Sequence, residues 1–367
     1  MKINCILENL KEAVLIAERN TSKSQSLPVL GSIFIGAENN KITLRATNLE
    51  TALEIFIPGK VQESGTVVVP AKAFGSFLSN ISGDQIFLQN QKDNLFVKTS
   101  QTQTVLRGYP KDDFPLFPKI EKTHVFSMSA PELLESLGSV SAAASLSDIK
   151  PELASVCFKI FKNTMKIAAT DSFRLAEKTI VSKNLKEDKM TTFLVPQRSV
   201  NEIARIFGKE SMLEIALNKN QLVISTNDVK FISRLTEGKF PDYEQIVPKN
   251  FTTEAVVKKQ ELVHFLKLAS VFVGRLNDIT LYFDISKKTL SLRSSNADLG
   301  EHMSEINSTI QGEEVEIKFN WRYLLDGVSN INAESLQFSL SGSQAPMLLK
   351  GKGDATFYYI LMPMRGI

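Results

Sequence analysis

Met165-Lys-Ile-Ala-Ala-Thr-Asp-Ser-Phe-Arg-Leu-Ala-Glu177 recurs in degraded form on either side of itself, at Lys41 to Leu53 (KITLRATNLETAL) and Thr289 to Glu301 (TLSLRSSNADLGE). In each copy apolar residues alternate (Ile42, Leu44, Ala46; Ile167, Ala169; Leu290, Leu292) and then meet a polar pair, Thr47-Asn48, Thr170-Asp171 or Ser295-Asn296. A period of two marks a strand, and an Asn or Asp at its end marks a turn closed by its own side chain. Asn48, Asp171 and Asn296 stand 123 and 125 residues apart, which is domain length and too long for a solenoid repeat. Three similar domains in tandem are expected.

A second marker keeps the same register. Val67-Val-Val-Pro70, followed by Phe74, Phe77, Leu78 and Ile81 at helical spacing, matches Phe193-Leu-Val-Pro196 with Val200, Ile203, Ala204 and Phe207. The third copy is Ile317-Lys-Phe-Asn320 with Leu324, Leu325 and Val328. Each unit closes on proline, at Pro115, Pro241 and Pro363. The boundaries expected are 1–122, 123–251 and 252–367.

The first unit opens with a strand at Lys2 to Leu7 and a helix carrying Leu10, Ala13, Val14 and Ala17 on one face. Thr21 to Ser26 is a polar loop, and Leu27-Pro-Val-Leu-Gly31 starts a strand pair through Ile35 and Leu44. Strands at Ala52 to Ile57 and Gly65 to Val69 lead to a second helix over 71–81, and three alternating runs end the unit. Unit two repeats this behind Ser129-Ala-Pro-Glu132, a capping box with proline in the first turn, and a stripe of Leu133, Leu134, Leu137, Val140 and Ala144. Unit three has Leu262, Val263, Leu266, Ala269 and Val273. Mostly antiparallel strands with two helices per unit make the class α+β.

With 367 residues and 43% hydrophobic content, the chain suffices for about three cores at roughly 100–150 residues each. Asn4 and Glu8 interrupt any signal-peptide core, and there is no long apolar run to cross a membrane. Cys5 and Cys157 sit in separate strand patterns, which suits buried thiols in a reducing, cytoplasmic setting. The net charge of +3 is too small to argue for nucleic acid alone.

Enzyme signatures are missing. His124, His264 and His302 have no partner spacing, Gly351-Lys-Gly353 lacks the phosphate-loop pattern, and no metal or cofactor set is expected. Asp171 and Arg174 read as a structural pair at a strand-end turn, with a hydrolase using Asp171 as the minor alternative. More informative are Lys72, Arg198 and Arg322, each two residues past the Pro or Asn marker. Arg198 and Arg205 are expected opposite the stripe of Val200, Ile203, Ala204 and Phe207. A solvated mixed face and a weakly phosphate-facing one both fit.

Leu27-Pro-Val-Leu-Gly31, Ala169-Thr-Asp-Ser-Phe-Arg-Leu-Ala176, Glu237-Gly-Lys-Phe-Pro-Asp-Tyr243 with Pro248-Lys249, Phe319-Asn-Trp-Arg-Tyr-Leu-Leu-Asp326 and Met362-Pro-Met-Arg365 occur in that order. Over essentially its full length the chain resembles the bacterial DNA polymerase III beta subunit, the sliding clamp. That resemblance implies a head-to-tail homodimer in which six similar domains close a ring, helices lining the hole, around double-stranded DNA. A head-to-tail interface closes when its rotation divides a full turn, and two chains of three units give six near-equal steps. Retention is then topological, and Lys23, Lys72, Lys150, Arg198, Arg205 and Arg322 need supply only exchangeable phosphate contacts.

The resemblance also implies a pocket for short linear motifs of the replicative polymerase, the clamp loader and repair proteins. Carried over by motif, its residues are Leu153, Thr170, Ser172, Phe173, Arg174, Leu175, Pro241, Gln245, Ile246, Leu276, Asn320, Tyr323, Met362, Pro363, Met364 and Arg365. The chain departs from the family pattern in places. Ser172-Phe173-Arg174 stands where Gly-His-Arg is usual, Gln245 where arginine is common, Pro151 and Glu152 where some members place aromatic DNA contacts, and Ser24 replaces a basic residue. Gly366-Ile367 extends the usual ending by one. The expectation is a non-enzymatic processivity factor, against the alternative of a β-rich scaffold that binds proteins but not DNA.

Overall fold

One order of elements recurs three times in this computed structural model, which describes residues 1–117 and 124–364, with a single long strand before the second helix of the second run where the other runs have two. The first run is β1 (Lys2–Ile6), α1 (Leu7–Arg19), β2 (Ser32–Glu38), β3 (Lys41–Thr47), β4 (Thr51–Pro58), β5 (Lys60–Glu63), β6 (Gly65–Pro70), α2 (Ala71–Asn80), β7 (Gln85–Gln91), β8 (Asn94–Lys98) and β9 (Gln103–Leu106). The second is β10 (His124–Ser129), α3 (Ala130–Ser141), β11 (Ser155–Lys162), β12 (Thr164–Thr170), β13 (Arg174–Val181), β14 (Glu187–Pro196), α4 (Gln197–Ile206), β15 (Met212–Leu217), β16 (Gln221–Ser225) and β17 (Val229–Arg234). The third is β18 (Thr253–Lys258), α5 (Lys259–Ala269), β19 (Asp278–Asp284), β20 (Thr289–Asn296), β21 (Gly300–Asn307), β22 (Thr309–Gly312), β23 (Val315–Asn320), α6 (Trp321–Asn330), β24 (Ser335–Leu340), β25 (Met347–Gly351) and β26 (Phe357–Leu361). We keep the division into three domains as a proposal supported by this recurrence; the boundary at 122/123 lies outside the described residues.

The three polar pairs form the same turn. Asn48 Oδ1 accepts from the backbone N–H of Glu50 and Thr51, Asp171 Oδ1 from Phe173 and Arg174, and Asn296 Oδ1 from Asp298 and Leu299. A short acceptor side chain satisfies two donors that the end of a strand would otherwise leave open. Leu49 and Ser172 follow the acceptor at φ 74° and 78°, in the left-handed region.

By spatial contact the chain groups into two compact units, residues 1–130 with 205–235 and residues 131–204 with 236–367. In the first, an eight-stranded sheet runs β10-β15-β16-β17-β4-β3-β2-β6 beside a five-stranded sheet β5-β1-β7-β8-β9. In the second, a nine-stranded sheet runs β14-β11-β12-β13-β26-β25-β24-β18-β22 beside a four-stranded sheet β21-β20-β19-β23. Each large sheet continues through an antiparallel joint between successive runs: β17 on β4 (Phe231 opposite Leu53) and β26 on β13 (Tyr359 opposite Ala176). β9 and β21 end their sheets, each paired on one side only among the described residues. Such edges invite another strand.

Helix faces follow the apolar spacing. α1 buries Leu10, Ala13, Val14 and Ala17, and packs on α2 where a Cβ added at Gly75 would come within 2.3 Å of Glu18 Oε2. Cys5 and Cys157 are buried thiols whose pKa burial pushes up to about 12. Differences from the sequence expectation are local. Pro28–Gly31 is a 3-10 turn, since proline at the head of a strand supplies no ladder donor; β2 begins at Ser32. α2 stops at Asn80, β5 carries no alternating apolar pattern, and Leu134, Val263 and Val273 are only half-buried. No described helix is long and apolar enough to cross a membrane.

Candidate functional site

The β12–β13 turn is the centre of the expected pocket, and Arg174 is its hub. Its Nε donates to Asp171 Oδ2 at 2.9 Å and its Nη1 to Asp326 Oδ2 at 2.6 Å, while the guanidinium carbon lies 4.2 Å from the centre of the Tyr323 ring. Burial works to lower the Arg174 pKa, but Tyr359, Asp326 and Asp171 outweigh it and raise the pKa further above its ordinary value. A buried cation held by two carboxylates and an aromatic face is a fixed wall. Thr170 Oγ1 donates to Arg174 O at 2.7 Å and accepts from Ser172 N, so the turn is closed from within.

Three more segments meet there. Asn320 caps α6 by accepting from the N–H groups of Arg322 and Tyr323, which fixes Tyr323 under Arg174. Met362 N donates to Phe173 O at 2.9 Å and Met364 N to Lys318 O at 2.8 Å, so residues 362–364 are strapped between the β12–β13 turn and β23. Asn277, next to Leu276, accepts from Trp321 N and Nε1 at the head of α6. Phe173 and Leu276 are 62% and 59% exposed, large apolar surfaces with no need to face water.

Phe240 and Tyr243 pack with Leu175, Cys157, Ala168, Leu194 and Ile360, and Tyr243 donates to Glu177 Oε2 at 2.6 Å. Burial, then Glu177, raises the Tyr243 phenol above its ordinary value, so it remains a donor. That anchor leaves Pro241, Gln245 and Ile246 exposed beside it, with Gln245 turned to Asp242 at 2.7 Å. Leu175 and Leu153 are buried, at 1% and 7% exposure, and Leu175 belongs to the cluster around Phe240 and Tyr243. Arg365 lies outside the described residues. Asp326, Tyr243 and Tyr359 were missed as supports; Tyr359 Oη donates to Tyr323 O at 2.9 Å, a contact no local pattern announces.

Asp171 is not a free base. Oδ1 takes two backbone N–H groups and Oδ2 takes Arg174.

The chain matches, in sequence order, the families described as DNA polymerase III beta subunit, N-terminal domain (residues 1–118), central domain (127–242) and C-terminal domain (244–365). It belongs to the DNA polymerase III beta subunit family. Among curated relatives, the beta sliding clamp homolog GriR of Streptomyces muensis is 28% identical, covering 100% of this chain and 99% of that one. The beta sliding clamp of Staphylococcus aureus is 26% identical over 94% of each. Of solved structures, a DnaN sliding clamp from Pseudomonas aeruginosa bound to griselimycin superposes with TM-score 0.95 at 25% identity, covering 100% of both chains. A DNA polymerase sliding clamp from Bacillus subtilis does so with TM-score 0.95 at 23% identity and full coverage, which speaks to the fold alone.

Within this beta-subunit chain the expected DNA-facing cations are all exposed. Lys72, Arg198 and Arg322 are each the second residue of α2, α4 and α6, helices with no acidic residue in their first turn. α1, α3 and α5 instead carry Glu8, Glu132 and Glu261 there. A cation at a helix N-terminus opposes the helix dipole, so three such placements disfavour folding unless an anion is near. Arg198 pairs with Asp148 at 2.8 Å, but both side chains are largely exposed and the pair is weak. Arg322 lies over Trp321, Arg205 sits in the last turn of α4, Lys23 lies in the loop after α1, and Lys150 precedes Leu153 in the loop after α3. Ala204 is exposed, so the buried stripe of α4 is Ser199, Val200 and Ile203, and buried Phe207 follows just past the helix end.

Proposed function

We propose that this protein is a DNA sliding clamp, a cytoplasmic, non-catalytic processivity factor that encircles duplex DNA as a head-to-tail dimer. The observation that carries the reading is the pair of open edges. The chain twice joins the last strand of one run to the middle strand of a neighbour, β17 to β4 and β26 to β13, and leaves one strand of each kind, β9 and β21, without that partner among the described residues. Pairing β9 of one protomer with β21 of the next adds two joints to the four built internally, six in all. Such a ring retains DNA by enclosure, and its cations need hold phosphates only loosely.

The polymerase, the clamp loader and repair proteins dock through short motifs on the surface formed by Phe173, Arg174, Leu276, Tyr323 and Met362 to Met364. Exposed apolar side chains around a fixed polar hub accept an extended segment, and methionine adapts to different ones. Griselimycin on the Pseudomonas aeruginosa clamp is consistent with a ligand site on this fold.

The test is retention on DNA. After loading, the clamp should persist on nicked circular DNA and leave linear DNA through its ends; equal loss from both would favour the β-rich scaffold. A hydrolase acting through Asp171 has no geometric support, because both carboxylate oxygens are committed to the turn.

A further inference from the structure

The two internal joints fix the register of a third. Counting from the residue before each first helix, the ladder Leu88, Val97, Thr104 corresponds to Ile215, Ile224, Phe231 and to Phe338, Leu349, Tyr359. On the other side, the hairpin partners Ala46–Leu53, Ala169–Ala176 and Ser294–His302 are equivalent. Phe231 meets Leu53 and Tyr359 meets Ala176, and all four are at most 1% exposed. The corresponding third pair is Thr104 with His302. The internal joints are each closed by one further bond, Arg234 N to Glu50 O and Met362 N to Phe173 O, and the equivalent in the third joint would run from Arg107 N to Leu299 O across the two protomers.

Resting on the ring reading above, we propose that His302 faces the partner's Thr104 at the centre of the β9–β21 joint and makes closure of the ring proton-sensitive. In the single chain His302 is half-buried, stacked on Phe272 (5.7 Å, 7° between planes), with Nε2 2.7 Å from Ser304 Oγ. From β20 it faces Ser294, whose hydroxyl donates to Ala269 O. α5, also packed on β21, carries Lys259, Glu261, His264 and Lys267, with its one carboxylate in the first turn, far in sequence from Phe272. Glu301 and Glu305 alternate to the other face of β21.

The partner brings no acid on the elements that meet this position. β9 has no charged residue, and Arg107 follows it. In the β26–β13 joint α6 sets Gly327 against the Tyr359 ring; the corresponding residue of α2 is Phe77, and Lys72 is the only charge on α2. A large aromatic on the helix and a small Thr104 on the strand replace glycine and tyrosine. An uncharged imidazole suits such a joint, whereas an imidazolium leaves water without a carboxylate to meet it. Histidine changes charge between about pH 5 and 8, so the closed ring binds fewer protons than its open parts and loosens as pH falls through that window.

Sedimentation equilibrium of the full chain between about pH 8 and 5.5 tests this. The dimer dissociation constant should rise on the order of tenfold toward acid, about threefold for each of the two joints, since each holds one His302. His302→Leu, which places the Leu53 side chain at the equivalent position, should flatten the dependence; His302→Gln should do so too if leucine impairs folding, and His264→Leu should keep it. A wild-type constant unchanged with pH, or a dependence that survives both His302 variants, overturns the inference and leaves the ring standing. Absence of a dimer at every pH overturns both.

Discussion

Arg174 donates through Nη1 to Asp326 Oδ2 at 2.6 Å, tying the β12–β13 turn to α6 across 152 residues of sequence. The two side chains differ in exposure, 8% against 45%, and this decides which partner matters more. Arg174→Ala strands Asp171 in a buried setting and should cost about 3 kcal/mol. Asp326→Ala leaves Arg174 its other carboxylate and should cost about 1 kcal/mol. Urea denaturation of the two variants checks the order; equal losses would show that the turn does not depend on Arg174 burial.

Ser172 holds φ 78° in a turn that glycine adopts without a Cβ clash. Ser172→Gly should stabilise the protein by about 0.5 kcal/mol, the left-handed penalty offset in part by unfolded-chain entropy. Asp171→Ala should lose about 2 kcal/mol, since two N–H groups and a guanidinium lose their acceptor. Thermal melts of both variants decide the matter.

Truncation after Leu361 removes the strap that Met362 and Met364 form to Phe173 and Lys318. Fluorescence anisotropy with a polymerase-tail peptide should show binding lost, while sedimentation still finds a dimer, because neither β9 nor β21 includes these residues. Unchanged peptide affinity would mean the site is elsewhere.

Lys72→Glu should move two measurements in opposite directions. Reversing the charge at the head of α2 relieves the dipole and should raise folding stability by about 0.5 kcal/mol. The same change should weaken DNA contact, and Lys72→Ala should reduce the salt dependence of that contact by about one counterion. A stabilised variant with an unaltered salt slope would remove Lys72 from the DNA-facing set.

Glu244 carries a small acid-limb effect. The Lys159 hydrogen bond, then its charge, holds the carboxyl below its usual value of 4.5, so its contribution is present above that pH and lost as pH falls further. With the Glu244 side chain 51% exposed, screening keeps the contribution to about 0.5 kcal/mol. Glu244→Gln should remove that difference at pH 7 and leave stability near pH 3 unchanged in urea titrations.

Part of this was legible in one dimension. The three Asx turns were readable because each is local: an acceptor side chain and the N–H groups it binds lie within three residues. The start of α2, the stripe of α1 and the cations two residues past each marker were legible for the same reason, since helical faces recur at fixed spacing. Pro28–Gly31 misled because proline permits extended chain and 3-10 turn alike. Asp326 stood in a quoted motif without a role, because its partner is 152 residues away.

The amino-acid order by itself determined that this protein is one module written three times, with a cation two residues past the marker that opens each second helix. Only tertiary structure decided which strands meet across the joints, which edges stay open, and that Asp326 and Tyr359 hold Arg174 and Tyr323 in place. The physical reason is range. Alternation, capping and turn closure act over a few residues and leave a periodic trace, whereas β17 on β4 and Arg174 on Asp326 are contacts between distant segments that no periodicity encodes.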